Sequence, residues 1–198
     1  MKVLFLTGNK NKVVEANQIL SNLGYEVEQF LVDGLTPEFI EPQSSSIVDV
    51  SKFKIQQALE LISETESSNN ALLVEDSGLF IESLNDFPGV YSSHVFKSLG
   101  CAGILSLMDE QRSAHFEAVA VLWDGEQTRI GRGVCRGSIG EKMVEGEGFG
   151  FDPIFIPDDL DDGTSSDGRP FGAIPTSLKH SFSHRRLALE ELFKIEDD

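Results

Sequence analysis

The sequence predicts an α/β fold, in which strands and helices alternate around one sheet, and three observations support this. Residues 2–7 are mostly apolar, Gly8 opens a polar turn, and apolar side chains then recur at helical spacing up to a stop at Gly24. The short apolar run at residues 71–74 is typical of a buried strand. Farther along, two β-rich runs meet at Asp124-Gly125, a dipeptide that favours a hairpin turn.

The remaining elements follow from hydrophobic periodicity and from turn residues. We predict strands at residues 2–7, 26–31, 71–74, 79–84, 114–123, 128–135 and 138–144. We predict helices at residues 11–23, 47–63, 98–108 and 184–194, the last with Ser183 as its N-cap. Loops are expected at residues 36–43, 87–91 and 157–168, and the last of these is acidic and exposed.

Length and composition are those of ordinary globular protein. The chain has 198 residues, 40% hydrophobic and 25% charged, which suits a single domain over residues 1–198, built as two lobes that share one sheet. No run of about 18 apolar residues occurs, so we expect no membrane partner. Cys101 and Cys135 lack metal-binding and redox spacing, which indicates reduced packing residues in a cytoplasmic protein.

The formal net charge of −17 limits the possible partners. A surface that binds nucleic acid non-specifically needs Lys and Arg to displace counterions, so we exclude nucleic acid as a partner. The charge is compatible with a salt-adapted protein or with a very soluble one, and the sequence leaves both open.

Two adjacent carboxylates, Glu75 and Asp76, follow the apolar run at residues 71–74. Ligands of α/β sheets usually bind beyond the carboxyl ends of the strands. Two carboxylates there repel each other and are costly to desolvate unless a cation lies beside them. We therefore expect a cation site, and the alternative is a turn with two solvated acids.

Two other places suit an anion and a flat ring. The turn after Gly8 precedes a helix, so its backbone N–H groups form an anion site to which Lys10 and Lys12 add charge, although no Walker motif is present. Phe149 and Phe151 alternate with glycines, which favours a clamp on a flat ring over a flexible linker or plain core packing.

Five motifs occur in one order along the chain. They are Thr7-Gly8-Asn9-x-x-Lys12, Glu75-Asp76-Ser77-Gly78-Leu79, Phe87-Pro88-Gly89-Val90-Tyr91-Ser92, Phe149-Gly150-Phe151-Asp152-Pro153, and Lys179 with Ser183-His184-Arg185. With these motifs the chain resembles the inosine triphosphate pyrophosphatase family, also called non-canonical purine NTP pyrophosphatases or XTP/dITP diphosphatases. The match covers nearly the whole chain.

The resemblance implies a long mixed β-sheet with flanking helices and two lobes around a central cleft, assembled as a homodimer. It implies Mg²⁺-dependent hydrolysis of a purine nucleoside triphosphate, ITP, dITP or XTP, between the α and β phosphates. The products are a monophosphate and pyrophosphate, and the biological role is the removal of deaminated purines from the nucleotide pool.

The same resemblance assigns the site residues. The metal ligands are Glu41, Asp76 and Glu75, with Asp76 also orienting and deprotonating the attacking water; Glu38 is the alternative to Glu41. The substrate-binding residues are Thr7, Gly8, Asn9, Lys10, Asn11, Lys12, Lys54, Ser77, Phe149, Gly150, Phe151, Asp152, Lys179, His184 and Arg185, and Lys52 is the alternative to Lys54.

Base selection follows from hydrogen-bond chemistry. A 6-keto purine presents an acceptor where adenine presents an amino donor, and His184 and Arg185 are donors that match that oxygen. One departure from the family pattern is His180, which follows Lys179 where many relatives have Asn.

Two rival functions remain. The first is a Maf-like nucleotide pyrophosphatase with a different base preference, and the second is a nucleotide-binding module without catalysis. Ser183-His184-Arg185 disfavours the first, and the presence of Glu41, Glu75 and Asp76 together disfavours the second.

Overall fold

The structure is a computed structural model that describes residues 2–63, 70–146 and 148–193. Within these ranges the chain forms a seven-stranded mixed sheet and six α-helices. The strands are β1 Lys2–Phe5, β2 Glu26–Gln29, β3 Ala71–Ile81, β4 Phe87–Pro88, β5 Ser113–Trp123, β6 Thr128–Ile139 and β7 Phe155–Pro157. The helices are α1 Lys10–Leu20, α2 Ile47–Ser63, α3 Ser92–Ser98, α4 Gly100–Leu107, α5 Thr176–Phe182 and α6 His184–Phe193. The predicted mixed α/β fold is confirmed.

The chain divides into two compact units. Unit 1 comprises residues 1–76, 118–133 and 185–198, and unit 2 comprises residues 77–117 and 134–184. The residues of β3, β5 and β6 are therefore shared between the two units, since each of these strands begins in one unit and ends in the other.

Unit 1 is a parallel sheet edge covered by helices. Strand β1 pairs in parallel with β2 on one side and with β3 on the other. Helix α1 begins after Asn9, whose side chain accepts a hydrogen bond from the backbone N–H of Asn11, and Gly24 ends the following 3-10 turn with φ +80°. The core joins residues of β1, α1, β3, β5 and α6, among them Phe5, Leu20, Leu73, Leu122 and Leu189.

Unit 2 pairs its strands antiparallel at both outer edges. Strand β4 pairs with β3, and β7 pairs with β6. Its core is rich in aromatic rings, and Phe116 contacts both Phe155 and Phe171 with ring centroids 4.6 and 6.2 Å apart.

The sequence predicted that the strand beginning at residue 71 ends before Glu75, and this prediction was wrong. Strand β3 continues through both carboxylates and joins the two predicted strands into one of 11 residues. The prediction was wrong because a charged pair inside a buried strand is unusual. The cations that make it tolerable lie far away in the sequence, where a local pattern does not reveal them.

Two further predictions need correction, and two helices were not predicted. Residues 138–144 are not a separate strand, because β6 runs on to Ile139 and the strand beside it is β7. The predicted helix at residues 98–108 begins only at Gly100, whose φ of +62° separates α3 from α4. Helices α3 and α5 were missed because seven residues make only two turns, too few for a clear period. The predicted helix at residues 47–63 is confirmed. The predicted helix at residues 184–194 corresponds to α6, and its predicted last residue, Lys194, lies outside the described residues.

Both cysteines are buried free thiols, as predicted. Burial, with a smaller contribution from the Asp158 carboxylate, raises the pKa of Cys135 to about 12. Burial and Asp152 raise the pKa of Cys101 above its ordinary value. Within the described ranges, no helix has the length and apolarity that a membrane span requires.

The glycine of the Glu75–Gly78 motif serves packing, which gives a first prediction. A Cβ at Gly78 would collide with the carbonyl oxygen of Gly89, so Gly78→Ala should lower the free energy of unfolding by about 1–3 kcal/mol. At Gly8 a Cβ would meet only the Thr36 methyl group, at 3.9 Å, so Gly8→Ala is the control. Urea unfolding of both variants tests this, and equal stabilities would contradict the packing argument.

Candidate active site

The carboxylates of Glu75 and Asp76 face different surroundings because successive residues of a strand point to opposite faces of the sheet. The Glu75 side chain is fully buried, whereas 16% of the Asp76 side chain is exposed. Each carboxylate therefore has its own partners, and the two are best considered separately.

Asp76 is held by two side chains of α2. Lys54 Nζ lies 2.5 Å from Asp76 Oδ1, and Ser51 Oγ lies 3.3 Å from Asp76 Oδ2. Ser51 and Lys54 are three residues apart, so both project from the same face of the helix. With both oxygens held, the carboxylate has one orientation.

Lys54 also binds Glu41, so one ammonium joins two carboxylates. The distance from Lys54 Nζ to Glu41 Oε1 is 2.6 Å. Burial alone would lower the pKa of Lys54, but Asp76 and Glu41 outweigh burial and raise that pKa above its ordinary value. The alternatives left open by the sequence, Lys52 and Glu38, are exposed and are not brought to Asp76.

Glu75 lies between two cations. Lys12 Nζ is 2.9 Å from Glu75 Oε2, and Arg185 Nε is 3.2 Å from the same oxygen. Arg185 also pairs with Glu15 of α1. Burial would lower the pKa of Arg185, but Glu75 and Glu15 together raise it above its ordinary value, so the guanidinium stays charged in the interior.

The polar turn before α1 is held from β2. Gln29 Nε2 donates to the carbonyl oxygen of Thr7 at 2.8 Å and to Thr36 Oγ1 at 3.1 Å. Thr7 Oγ1 in turn accepts from the backbone N–H of Asn9 at 3.1 Å. Lys10 is exposed, whereas Lys12 turns inward to Glu75.

A cavity of about 180 Å³ in unit 1 unites most of these groups. Its lining includes seven residues predicted from the sequence: Thr7, Gly8, Lys12, Glu41, Lys54, Glu75 and Asp76. Asn9, Lys10 and Asn11 are outside this lining. The cavity is also lined by Thr36, Pro37 and Phe39, which were not predicted as site residues because loop residues carry no periodic signal.

Unit 2 contains a second cluster, centred on Asp152. The buried Asp152 carboxylate accepts from the backbone N–H of Phe149 at 2.8 Å and from Lys179 Nζ at 2.7 Å. Lys179 Nζ lies 4.9 Å from the centre of the Phe149 ring, within cation–π range. Asp152 thus holds the turn and the lysine together.

The other predicted residues of unit 2 differ in burial. Phe151 is 3% exposed and lies in the core, edge-on to the more exposed Phe96, whereas Phe149 is only half-buried. The Gly150 carbonyl lies 3.5 Å from Cys101 Sγ. His184 is buried and stacks on Phe116, with ring centroids 4.9 Å apart. Ser77 follows Asp76 in β3 and is half-buried.

Several residues of the unit 1 site were missed by sequence reasoning. Ser51, Glu15 and Gln29 carry no motif, but two of them had a usable signal. Ser51 precedes Lys54 by three residues, and Glu15 follows Lys12 by three, so each shares a helix face with a predicted site residue.

The residues present fit a magnesium ion that arrives with a phosphate ligand. Within the described ranges, no group of three His, Cys, Asp or Glu side chains forms a ready-made metal site. Mg²⁺, however, usually takes only one or two carboxylates and completes its shell with water and phosphate oxygens. Glu41 and Asp76 are such a pair, since both already bind one cationic group, the Lys54 ammonium.

Comparison with known proteins identifies the family. Residues 3–195 match the family model described as the Ham1 family. The chain belongs to the Ham1 family. The chain is also similar to proteins named dITP/XTP pyrophosphatase. One, from Hyperthermus butylicus, is 38% identical over 96% of this chain and 92% of its own length. Another, from Methanopyrus kandleri, is 41% identical over 96% and 93%.

The fold of solved Ham1 proteins agrees. The structure of a HAM1 protein from Coxiella burnetii matches with a TM-score of 0.76 at 27% identity, and the match covers 97% of this chain and 96% of that one. The resemblance stated from the five motifs is thereby confirmed.

The buried Arg185 gives a second prediction. Arg185→Met removes a counter-charge from the fully buried Glu75 and should lower the free energy of unfolding by about 3–5 kcal/mol. Its neighbour Arg186 pairs with Glu190 at the surface, so Arg186→Met should cost less than about 1 kcal/mol. Urea unfolding at neutral pH separates the two variants. Equal losses would show that the Arg185–Glu75 pair contributes nothing special.

Proposed function

We propose that the protein is a Mg²⁺-dependent pyrophosphohydrolase that converts ITP, dITP and XTP to the monophosphate and pyrophosphate. Family membership and the names of the two relatives support the reaction. The observation that carries the proposal is the cavity of unit 1, where Lys54 joins Glu41 and Asp76 beside the turn that begins at Thr7.

Asp76 is the proposed catalytic base. Cleavage of a phosphoanhydride requires a water aimed in line at phosphorus and positive charge around the transferring group. Asp76 lines the cavity and is oriented by Ser51 and Lys54, so it suits a water held in one position, whose proton passes to the carboxylate. Magnesium bound by Glu41 and Asp76 would supply charge neutralisation to the phosphates, and Glu75 remains a predicted ligand.

The polyphosphate is assigned to cationic side chains and to the turn before α1. Lys12 and Lys54 carry their charge into the cavity, where Thr7 and Gly8 also lie. In a partly buried site such charges act more strongly on an anion than they do in water. The negative net charge of the whole chain is therefore compensated locally.

The base is assigned to Phe149, Asp152, Lys179 and His184, which all belong to unit 2. Phe149 offers a half-buried ring, and Lys179 and Asp152 offer a donor and an acceptor next to it. Arg185 already pairs with Glu75 and Glu15, so His184 is the donor to the 6-keto oxygen in this proposal, and a base-reading role for Arg185 remains a prediction. The homodimer and the cytoplasmic location remain predictions.

Substrate preference is the third prediction. We expect pyrophosphate release from ITP, dITP and XTP, little release from ATP and UTP, and none with EDTA present. The physical reason is that adenine presents an amino donor where His184 also donates. A preference for UTP would favour a Maf-like activity, and no release from any nucleotide would leave a binding module.

The base role of Asp76 gives the fourth prediction. Asp76→Asn keeps the size of the side chain but removes the proton acceptor, so kcat should fall by about 100-fold or more while nucleotide still binds. Asp159→Asn, at an exposed position of the acidic loop, is the control and should leave kcat unchanged. Pyrophosphate release and nucleotide binding are measured on both. Full activity of Asp76→Asn would remove Asp76 from the mechanism.

A further inference from the structure

The segment that carries Glu41 has little structure of its own. Residues 36–46 form neither helix nor strand. The segment is held at its start by Gln29, which donates to Thr36 Oγ1, and at its end by Ser46, whose Oγ accepts from the backbone N–H of Asp49 at 3.3 Å. The side chain of Ile40 contributes little apolar burial to the middle of the segment, because it is 75% exposed.

The middle of the segment is held by the amide of Gln57 on α2. Gln57 Oε1 accepts from the backbone N–H of Ile40 at 3.0 Å, and Gln57 Nε2 donates to the carbonyl oxygen of Ile40 at 2.8 Å. Among the described residues 37–43, Ile40 is the one whose backbone makes hydrogen bonds. A side-chain amide matches a peptide group in this way because it carries both a donor and an acceptor.

The ion pair of Glu41 is too exposed to replace this contact. The Glu41 side chain is 42% exposed, and ion pairs at that exposure contribute about 0–1 kcal/mol. The bond that Gln57 Nε2 makes within its own helix, to the carbonyl oxygen of Phe53, is longer at 3.4 Å. The hydrogen bonds of the Gln57 amide to Ile40 are therefore shorter than its bond to Phe53.

Gln57 and Lys54 act on neighbouring residues of the segment. They are three positions apart and share one face of α2. Gln57 binds the backbone of Ile40, and Lys54 binds the carboxylate of the next residue, Glu41. Helix α2 thus sets both the path of the chain and the direction of the carboxylate.

We propose that Gln57 is a positioning residue, which holds Glu41 where its carboxylate shares one cation with Asp76. The proposal rests on the function proposed above, because it takes Glu41 as a metal ligand. Gln57 is not one of the residues that line the cavity, so in this proposal it acts through Ile40 and Glu41. Loss of the amide leaves the helix intact and frees the segment.

The test compares Gln57→Leu with Gln56→Leu. Gln56 is the exposed neighbour, and its side chain makes no hydrogen bond within the described part of the chain. Gln57→Leu therefore differs from Gln56→Leu in losing the contact with Ile40 and the longer bond to the Phe53 carbonyl oxygen. Gln57→Leu should raise the Mg²⁺ concentration for half-maximal pyrophosphate release by about 10-fold or more, the usual effect of losing a partner that orients a metal ligand. Gln56→Leu should match the wild type, and both variants should unfold at the same urea concentration.

A double-mutant cycle with Glu41→Gln makes the result specific. If Gln57 acts through Glu41, adding Gln57→Leu to Glu41→Gln should change the Mg²⁺ requirement by less than about twofold. The same large change in both backgrounds would overturn the proposal, because Gln57 would then act by another route. An equal effect of Gln56→Leu would overturn it as well.

Hydrogen exchange separates this proposal from the proposed function. Without metal or nucleotide, the Ile40 amide should exchange about 10-fold faster in Gln57→Leu than in the wild type or in Gln56→Leu. Unchanged exchange would overturn the positioning role whatever the activity. If the wild type releases no pyrophosphate but the Ile40 exchange rises as expected, the proposed function fails while the contact itself is upheld.

Discussion

The separation of two adjacent carboxylates is the constraint on which the site depends. Glu75 and Asp76 are neighbours in β3, so their side chains leave the strand on opposite faces, and each has its own cationic partners. Glu75 is neutralised from α1 and α6 by Lys12 and Arg185, and Asp76 is neutralised from α2 by Lys54. Three helices are therefore joined electrostatically to one strand. An unpaired charge at either position would be costly in the interior.

The two faces serve different purposes. The Glu75 carboxylate is fully buried, and its pairing with Arg185 has the character of a structural ion pair. The Asp76 carboxylate is partly exposed in the cavity, where Lys54 joins it to Glu41. A carboxylate whose orientation is set in advance suits catalysis, because the protein does not have to reorganise it during the reaction.

In unit 2, one buried carboxylate also positions several groups. This carboxylate, Asp152, fixes both the backbone of Phe149 and the ammonium of Lys179. The turn, the ring and the charge are thereby placed by a single side chain. The net charge of the chain is −17, so the local charge of each cluster depends on where its few cationic side chains lie beside buried acids.

The sequence by itself determined the class of fold and the family. Local signals were enough to predict α2, because its apolar periodicity extends over 17 residues, and to predict the helix end at Gly24. The five motifs named Lys12, Asp76 and Lys179 because each lies in a short contiguous pattern. The family was also recognised from these motifs, because all five occur in one order along the chain.

The tertiary structure decided how those residues are used. It put Glu75 and Asp76 inside a strand, packed Phe151 into the core, and gave Arg185 two carboxylate partners. It also chose Glu41 over Glu38 and Lys54 over Lys52 as the groups beside Asp76. These outcomes depend on contacts between residues up to 170 positions apart, such as Glu15 and Arg185. No local pattern encodes such contacts, because burial and charge pairing arise only when distant elements pack together.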